Sequence, residues 1–299
     1  MSTISRTLAF VTLLSFPLAC DKSSESVSPD ASDTDTQADA TPAADDGAAA
    51  TGDVGSRVSE ILAMDHRSDD NRARDQYRHP AQTLAFFGVQ PDSTVVELWA
   101  GGGWYTEVLA PLVRDQGKLI VTQYSKEGPE DSYRPKAAKK YEEKLAARPD
   151  VYDKVEVVVI SDDLVLAPEG TVDVVLTFRN SHGWFRDDQQ EKIYGAAFAA
   201  LKPGGVFGVV QHRADEGADP KETAPKGYLP EAAVIAAAEA VGFELAEKSE
   251  INANAKDTKD HPEGVWTLPP GFALKDKDHD KYAAIGESDR MTLKFIKPE

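Results

Sequence analysis

The chain has 299 residues, 41% of them hydrophobic, enough for one large domain or two small ones with a sizeable core. Its formal charge of −18 argues against nucleic acid as a partner and against an electrostatic grip on anionic lipid, because both need a basic face. The single cysteine, Cys20, excludes an internal disulfide and a cysteine-based zinc site.

Residues 1–20 carry one positive charge, Arg6, then an uncharged apolar run over 8–18, then Ala19 and Cys20. That run is about half of the ~20 residues a spanning helix needs, so it reads as the core of a signal peptide. Pro17-Leu18-Ala19-Cys20 resembles the lipobox of bacterial lipoproteins, with the usual leucine one place late and Pro17 in its position. The resemblance implies acylation of Cys20, a membrane contact through that anchor, and a periplasmic-side location in the bacterial cell envelope. The other readings are a plain secretory signal with an incidental cysteine, or a cytoplasmic protein if the signal is misread. Residues 21–56 hold nine acids, one lysine and almost no large apolar side chain. Such a stretch buries too little to offset the entropy of ordering, so it is expected to be a disordered acidic tether. The folded domain is expected over residues 57–299.

Val58, Ile61, Leu62 and Met64 predict a short helix. Residues 65–80 are dense in both charge signs and read either as a solvated helix face or as a cap whose Arg or His side chains reach a ligand. A helix is predicted over 80–87, ended by Gly88. Residues 94–98 form a short β-branched run ending near an acid, followed by Gly101, Gly102 and Gly103 and then by helical spacing of Val108, Leu109, Leu112 and Val113. Strand, glycine turn and helix is a geometry in which free N–H groups face a ligand. Further strands are predicted over 117–123, 155–160, 172–178, 206–211, 243–250 and 290–296. Helices are predicted over 131–148, 189–201 and 229–241. Residues 252–288 read as a long polar loop, a kind of segment that is often functional. Alternating strands and helices imply an α/β, Rossmann-like doubly wound, mostly parallel seven-stranded sheet with an antiparallel last strand.

Four segments together resemble the class I S-adenosylmethionine-dependent methyltransferases. They are Glu97-Leu98-Trp99-Ala100-Gly101-Gly102-Gly103, Asp162 past the third strand, Asp173 opening the fourth, and Leu201-Lys202-Pro203-Gly204-Gly205 before the fifth. Gly101-Gly102-Gly103-Trp104-Tyr105-Thr106-Glu107, with Arg179-Asn180-Ser181-His182-Gly183-Trp184, is similar to a bacterial group of predicted methyltransferases. Trp99 stands where the family usually has its first glycine. Gln123 stands where the family commonly has the acid that grips the ribose, and an amide lacks that charge-assisted strength.

The resemblance implies that S-adenosylmethionine is the cofactor and that Glu97, Gly101, Gly103, Gln123 and Asp162 line its pocket. It places the base at the ends of strands four and five, which points to His182, Asn180 and His212. His182 is preferred because its ordinary pKa lies near working pH. For each histidine the plain alternative is a loop side chain bonded to the backbone. Arg179, Arg213 and Trp184 are the substrate-binding candidates. Arg67, Arg74, Arg78, Arg179 and Arg213 would suit an anionic substrate if they cluster at the cleft. No metal is assigned. The expected function is methyl transfer to a small molecule or envelope component. The alternative is an exported binding protein that keeps the fold, because fold does not guarantee chemistry.

Overall fold

The computed structural model describes residues 46–129 and 131–299. The signal stretch, Cys20 and most of the expected tether lie outside those residues. Helix α1 (Asp46–Leu62) begins inside the stretch expected to be tether. Val54, Val58 and Ile61 recur at helical spacing and are fully buried, so the folded part starts before Arg57.

The charged stretch then folds into α2 (Asp69–Arg72), α3 (Asp75–Arg78) and α4 (Pro80–Phe86). Asp65, Asp69, Asp70 and Gln76 form a solvated face, as one of the two readings expected, but two of its arginines turn inward. The Arg67 and Arg78 side chains are 0% exposed, and Arg67 forks onto both carboxylate oxygens of Asp75 at 2.7 Å. The remaining elements are β1 (Thr94–Leu98), α5 (Thr106–Val113), β2 (Lys118–Gln123), α6 (Tyr133–Ala147), α7 (Pro149–Tyr152) and β3 (Glu156–Val159). They continue as β4 (Val172–Phe178), α8 (Ser181–Arg186), α9 (Gln190–Ala200), β5 (Leu201–His212) and α10 (Pro220–Thr223). The chain ends with α11 (Glu231–Ala240), β6 (Glu244–Ser249), α12 (His279–Ile285) and β7 (Arg290–Ile296).

The strands form one seven-stranded sheet in the order β3-β2-β1-β4-β5-β7-β6. β1 through β5 pair in parallel, and β7 runs antiparallel between β5 and β6. Side chains alternate between the two faces, as a strand requires. Val95, Val174 and Leu176 pack on one face with Val58, Ile61, Leu84 and Val108 of α1, α4 and α5. Val96, Leu98 and Val175 pack on the other with Ile193, Tyr194, Val234 and Ala238 of α9 and α11. The central strands are therefore mostly apolar, because both faces are covered.

Asp173 serves this frame at the opposite end from the ligand edge, accepting from the Thr94 N–H at 2.8 Å and from Lys202. The polar segment over 252–288 is long, as expected, yet much of its polarity is buried. Asp257 accepts from the Tyr228 hydroxyl, from His261 and from the Lys259 and Asp289 N–H groups. That full satisfaction lets a carboxylate sit in the interior.

Candidate ligand cleft

The sheet order reverses between β1 and β4, so the loops leaving their C-terminal ends part and open a crevice. A cleft of about 970 Å³ occupies that position. Trp99 after β1, Tyr124 after β2, Ile160 and Asp162 after β3, and Arg179 and Asn180 after β4 line it. His182 and Trp184 of α8, Trp266 of the polar segment, and Tyr133 and Arg134 of α6 are also part of the wall. Of the expected site residues, Asp162, Arg179, Asn180, His182 and Trp184 reach the cleft. Glu97, Gly101, Gly103, Gln123, His212 and Arg213 are not on its surface.

The glycine turn explains the first part of that division. Gly101 and Gly103 have φ of 58° and 75°, and a Cβ on Gly103 would lie 2.8 Å from the Tyr141 ring. Only glycine fits there, and the reason is internal packing. The carbonyls of the turn are already bonded within the protein. Gln123 Nε2 donates to Gly101 O at 3.2 Å, and Lys144 Nζ donates to Gly102 O at 3.0 Å and Gly103 O at 3.1 Å. Gln123 Oε1 accepts from the Tyr124 N–H at 2.9 Å, so both ends of this amide are engaged. Glu97 accepts from the Thr106 hydroxyl at 2.6 Å and is 2% exposed. Burial pushes its pKa up to about 7 against the opposing pull of Thr106 and Lys144.

Trp99 adopts φ 48° where an L side chain crowds its own backbone, and its ring packs edge-on against Trp184 at 5.0 Å. It therefore turns the loop as a glycine would and fills part of the cleft.

The acid–base candidates divide as well. Asn180 Nδ2 donates to Leu98 O at 2.9 Å, tying the end of β4 to the end of β1. It positions the crevice and has no titratable proton to give. His182 faces the cleft, but burial lowers its pKa to about 4, so it is neutral at working pH and a weak base. The expectation that its pKa lies near neutrality is corrected by that desolvation. His212 sits behind it, 5.8 Å ring to ring, bonded to the Ser288 hydroxyl and held far below its ordinary pKa by burial.

The arginines do not share one environment. Arg67 pairs with Asp75 and Glu107, Arg74 and Arg78 with Glu287, and Arg213 with Glu250 and Asp289. Arg213 is thus held in ion pairs and does not serve the cleft. Among the described residues Arg179 makes no ion pair, and its buried Nε has no hydrogen-bond partner. Burial lowers its pKa to about 10, and its φ is 66°.

Trp184 is 6% exposed and still contributes to the cleft wall, whereas Trp104 lies in the core beneath the Arg67 and Arg78 guanidiniums. Trp266, Tyr124 and Tyr133 also line the cleft and were not anticipated. Trp266 had a signal, a large aromatic in an otherwise polar loop, and it is 43% exposed here.

No protein-family model matches the chain, and no curated protein matches it in sequence. Solved structures do match in three dimensions. An S-adenosylmethionine-dependent methyltransferase from Aquifex aeolicus aligns over 81% of this chain and 98% of its own, at 16% identity and a TM-score of 0.51. Geranyl diphosphate C-methyltransferase from Streptomyces coelicolor A3(2) covers 80% and 86% of the two chains, at 12% identity and a TM-score of 0.51. The cyclase SpnF covers 83% and 94%, at 15% identity and a TM-score of 0.51. At these identities the likeness speaks for architecture, and the chain has the Rossmann-like fold of S-adenosylmethionine-dependent methyltransferases.

Proposed function

We propose that this chain is an S-adenosylmethionine-dependent methyltransferase that acts on a small-molecule or envelope acceptor. The observation that carries the reading is the large cleft at the switch point of a methyltransferase-type sheet, with the exposed Asp162 carboxylate at the end of β3. Asp162 would accept from the adenosine part of the cofactor. Tyr124, Ile160 and Leu164 would flank that part, and the sulfonium would approach the β4 end near Asn180. Methyl transfer from a sulfonium is an in-line displacement that depends mainly on positioning. A strong base is not essential to it, so the low basicity of His182 is compatible with the reaction; its imidazole would orient the acceptor.

The chemistry of the bound cofactor is the supply of an electrophilic methyl group, and two structures with this fold are named for methyl transfer. Calorimetry with S-adenosylmethionine and S-adenosylhomocysteine tests the reading. Micromolar binding that weakens in Asp162→Ala supports it, and absence of binding below millimolar rejects it.

The bonded glycine-turn carbonyls and the Trp99 ring favour a second reading, an exported binding protein that keeps the fold. SpnF, named as a cyclase, shares the architecture, so the fold alone does not fix methyl transfer. Ligand binding without any methyl-transfer product would favour this alternative.

For location we propose export and lipid anchoring through Cys20. Among the described residues no helix is long and apolar enough to cross a membrane. Labelling with a palmitate analogue, lost in Cys20→Ala, supports the anchor; equal labelling of both proteins rejects it.

A further inference from the structure

Arg179 carries costs that no hydrogen bond or ion pair of its side chain offsets among the described residues. Its φ of 66° is a left-handed conformation that favours glycine, its Nε is enclosed without an acceptor, and no carboxylate pairs with its guanidinium among the described residues. The charge around it makes the imbalance larger. Arg74, Arg78 and Arg290 all form ion pairs with one buried carboxylate, Glu287, at 2.6, 3.2 and 3.2 Å. Arg78 is fully buried with both Nη atoms lacking a hydrogen-bond partner, its face lying 4.5 Å over the Trp104 ring. Arg179 feels the charges of Glu287, Arg290 and Arg74 directly. Glu287 is thus already shared by three guanidiniums and is not free to pair with Arg179 alone. Buried charge persists when it is paired, and the missing partner here is an anion.

Beside Arg179 the cleft wall mixes aromatic rings with charged side chains, among them Arg134, Arg186, Lys192, Glu127, Asp162 and Asp187. Trp99 packs against Trp184, Trp266 stands 5.8 Å from the His182 ring, and Tyr124 packs edge-on to Tyr133. Trp266 and Tyr133 are 43% and 72% exposed, so neither is held there by a core. Large aromatics around a few convergent polar groups are the usual wall of a small-molecule site.

We propose that the inner end of the cleft is an anion site and that its ligand is an aromatic carboxylate or aromatic phosphate monoester. The acid group pairs with Arg179, and the ring lies against Trp184 and Trp266. A guanidinium fork matches carboxylate and phosphate alike. Naming this ligand as the methyl acceptor rests on the methyl-transfer reading; naming it as the cleft's ligand does not.

The test is tryptophan fluorescence and calorimetry on the full chain with benzoate, phenyl phosphate, neutral benzyl alcohol and inorganic phosphate as probes. At least one aromatic acid should bind about tenfold more tightly than benzyl alcohol, the size of one charged hydrogen bond. Phenyl phosphate should also exceed inorganic phosphate. Arg179→Gly, which suits the backbone, should bring acid binding down to the level of benzyl alcohol, and Arg179→Lys should keep part of it. Circular dichroism establishes that both variants are folded. Equal binding of acid and alcohol, unchanged affinity in Arg179→Gly, or no binding of either acid would overturn the proposal. S-adenosylhomocysteine is titrated separately. Its failure to bind while an acid binds rejects methyl transfer alone, and the reverse result rejects the anion site alone.

Discussion

Replacing Arg179 with glycine should make the protein more stable while removing its ligand. Arg179 holds φ 66°, and relieving a left-handed conformation at an L residue is worth about 1 kcal/mol. Deleting its unpartnered buried Nε removes a desolvation cost of roughly 1–3 kcal/mol. Against this, glycine adds freedom to the unfolded chain at about 0.5–1 kcal/mol. Loss of the packed aliphatic stem costs about 1 kcal/mol more. The balance is a gain of about 1 kcal/mol, which for a domain of this size raises Tm by roughly 2–4 °C. Thermal unfolding followed by circular dichroism, without ligand, measures it. Phenyl phosphate should then raise the Tm of the natural protein and leave that of Arg179→Gly unmoved. A Tm that falls by several degrees in the variant would refute the reasoning, because Arg179 would then be supporting the fold.

Further outcomes follow from the same geometry. Glu97 has a folded pKa of about 7 against 4.5 when exposed, so its stabilising contribution is complete below pH 4.5 and is lost as pH rises through 7. Glu97→Gln should therefore gain on the natural protein in Tm scans as pH rises from about 5.5 to 8.5, and a constant difference would contradict this. His182 shows the opposite sign, since its pKa falls from 6.5 to about 4 on folding. The unfolded chain takes up the proton first, so stability is complete above pH 6.5 and declines as pH falls towards 4, by roughly 2 kcal/mol near pH 5. His182→Asn should flatten that acid limb in urea titrations, and an unchanged limb would assign the loss elsewhere. Trp99→Gly relieves a left-handed tryptophan and vacates part of the cleft, so S-adenosylhomocysteine affinity should rise about fivefold in calorimetry, the equivalent of ~1 kcal/mol. Weaker binding would show that the indole is part of the cofactor site.

The centre of the sheet was largely legible because β1, β2, β4 and β5 carry apolar, β-branched runs. Residues 172–178 and 290–296 coincide with β4 and β7, and the antiparallel direction of the last strand is as expected. Helix α8 is not among the predicted helices because Ser181-His182-Gly183-Trp184 has no helical periodicity. Packing of Trp184 on Tyr194 and the Ser181–Tyr194 hydroxyl bond hold it instead. The entry into α1 was missed because Val54 is a single apolar residue among small and acidic ones, and only its tertiary burial reveals it.

Part of the cleft lining was legible. Positions after strands three and four are fixed by topology, and Asp162, Arg179, Asn180, His182 and Trp184 all reach the cleft. Which arginine lacks a partner is not a local property. Glu287 bonds Arg74 and Arg78 from more than 200 positions away, and no spacing rule reports that. The same applies to the glycine turn, where Lys144 bonds its carbonyls from a helix some forty residues further along the chain. Desolvation of His182 is likewise a product of the assembled fold.

The most direct test of the central claim is calorimetric titration of the full chain with S-adenosylhomocysteine. One saturable site in the micromolar range is expected, weakened about tenfold in Asp162→Ala by the loss of one charged hydrogen bond. Binding weaker than millimolar, or affinity unchanged by Asp162→Ala, would contradict it.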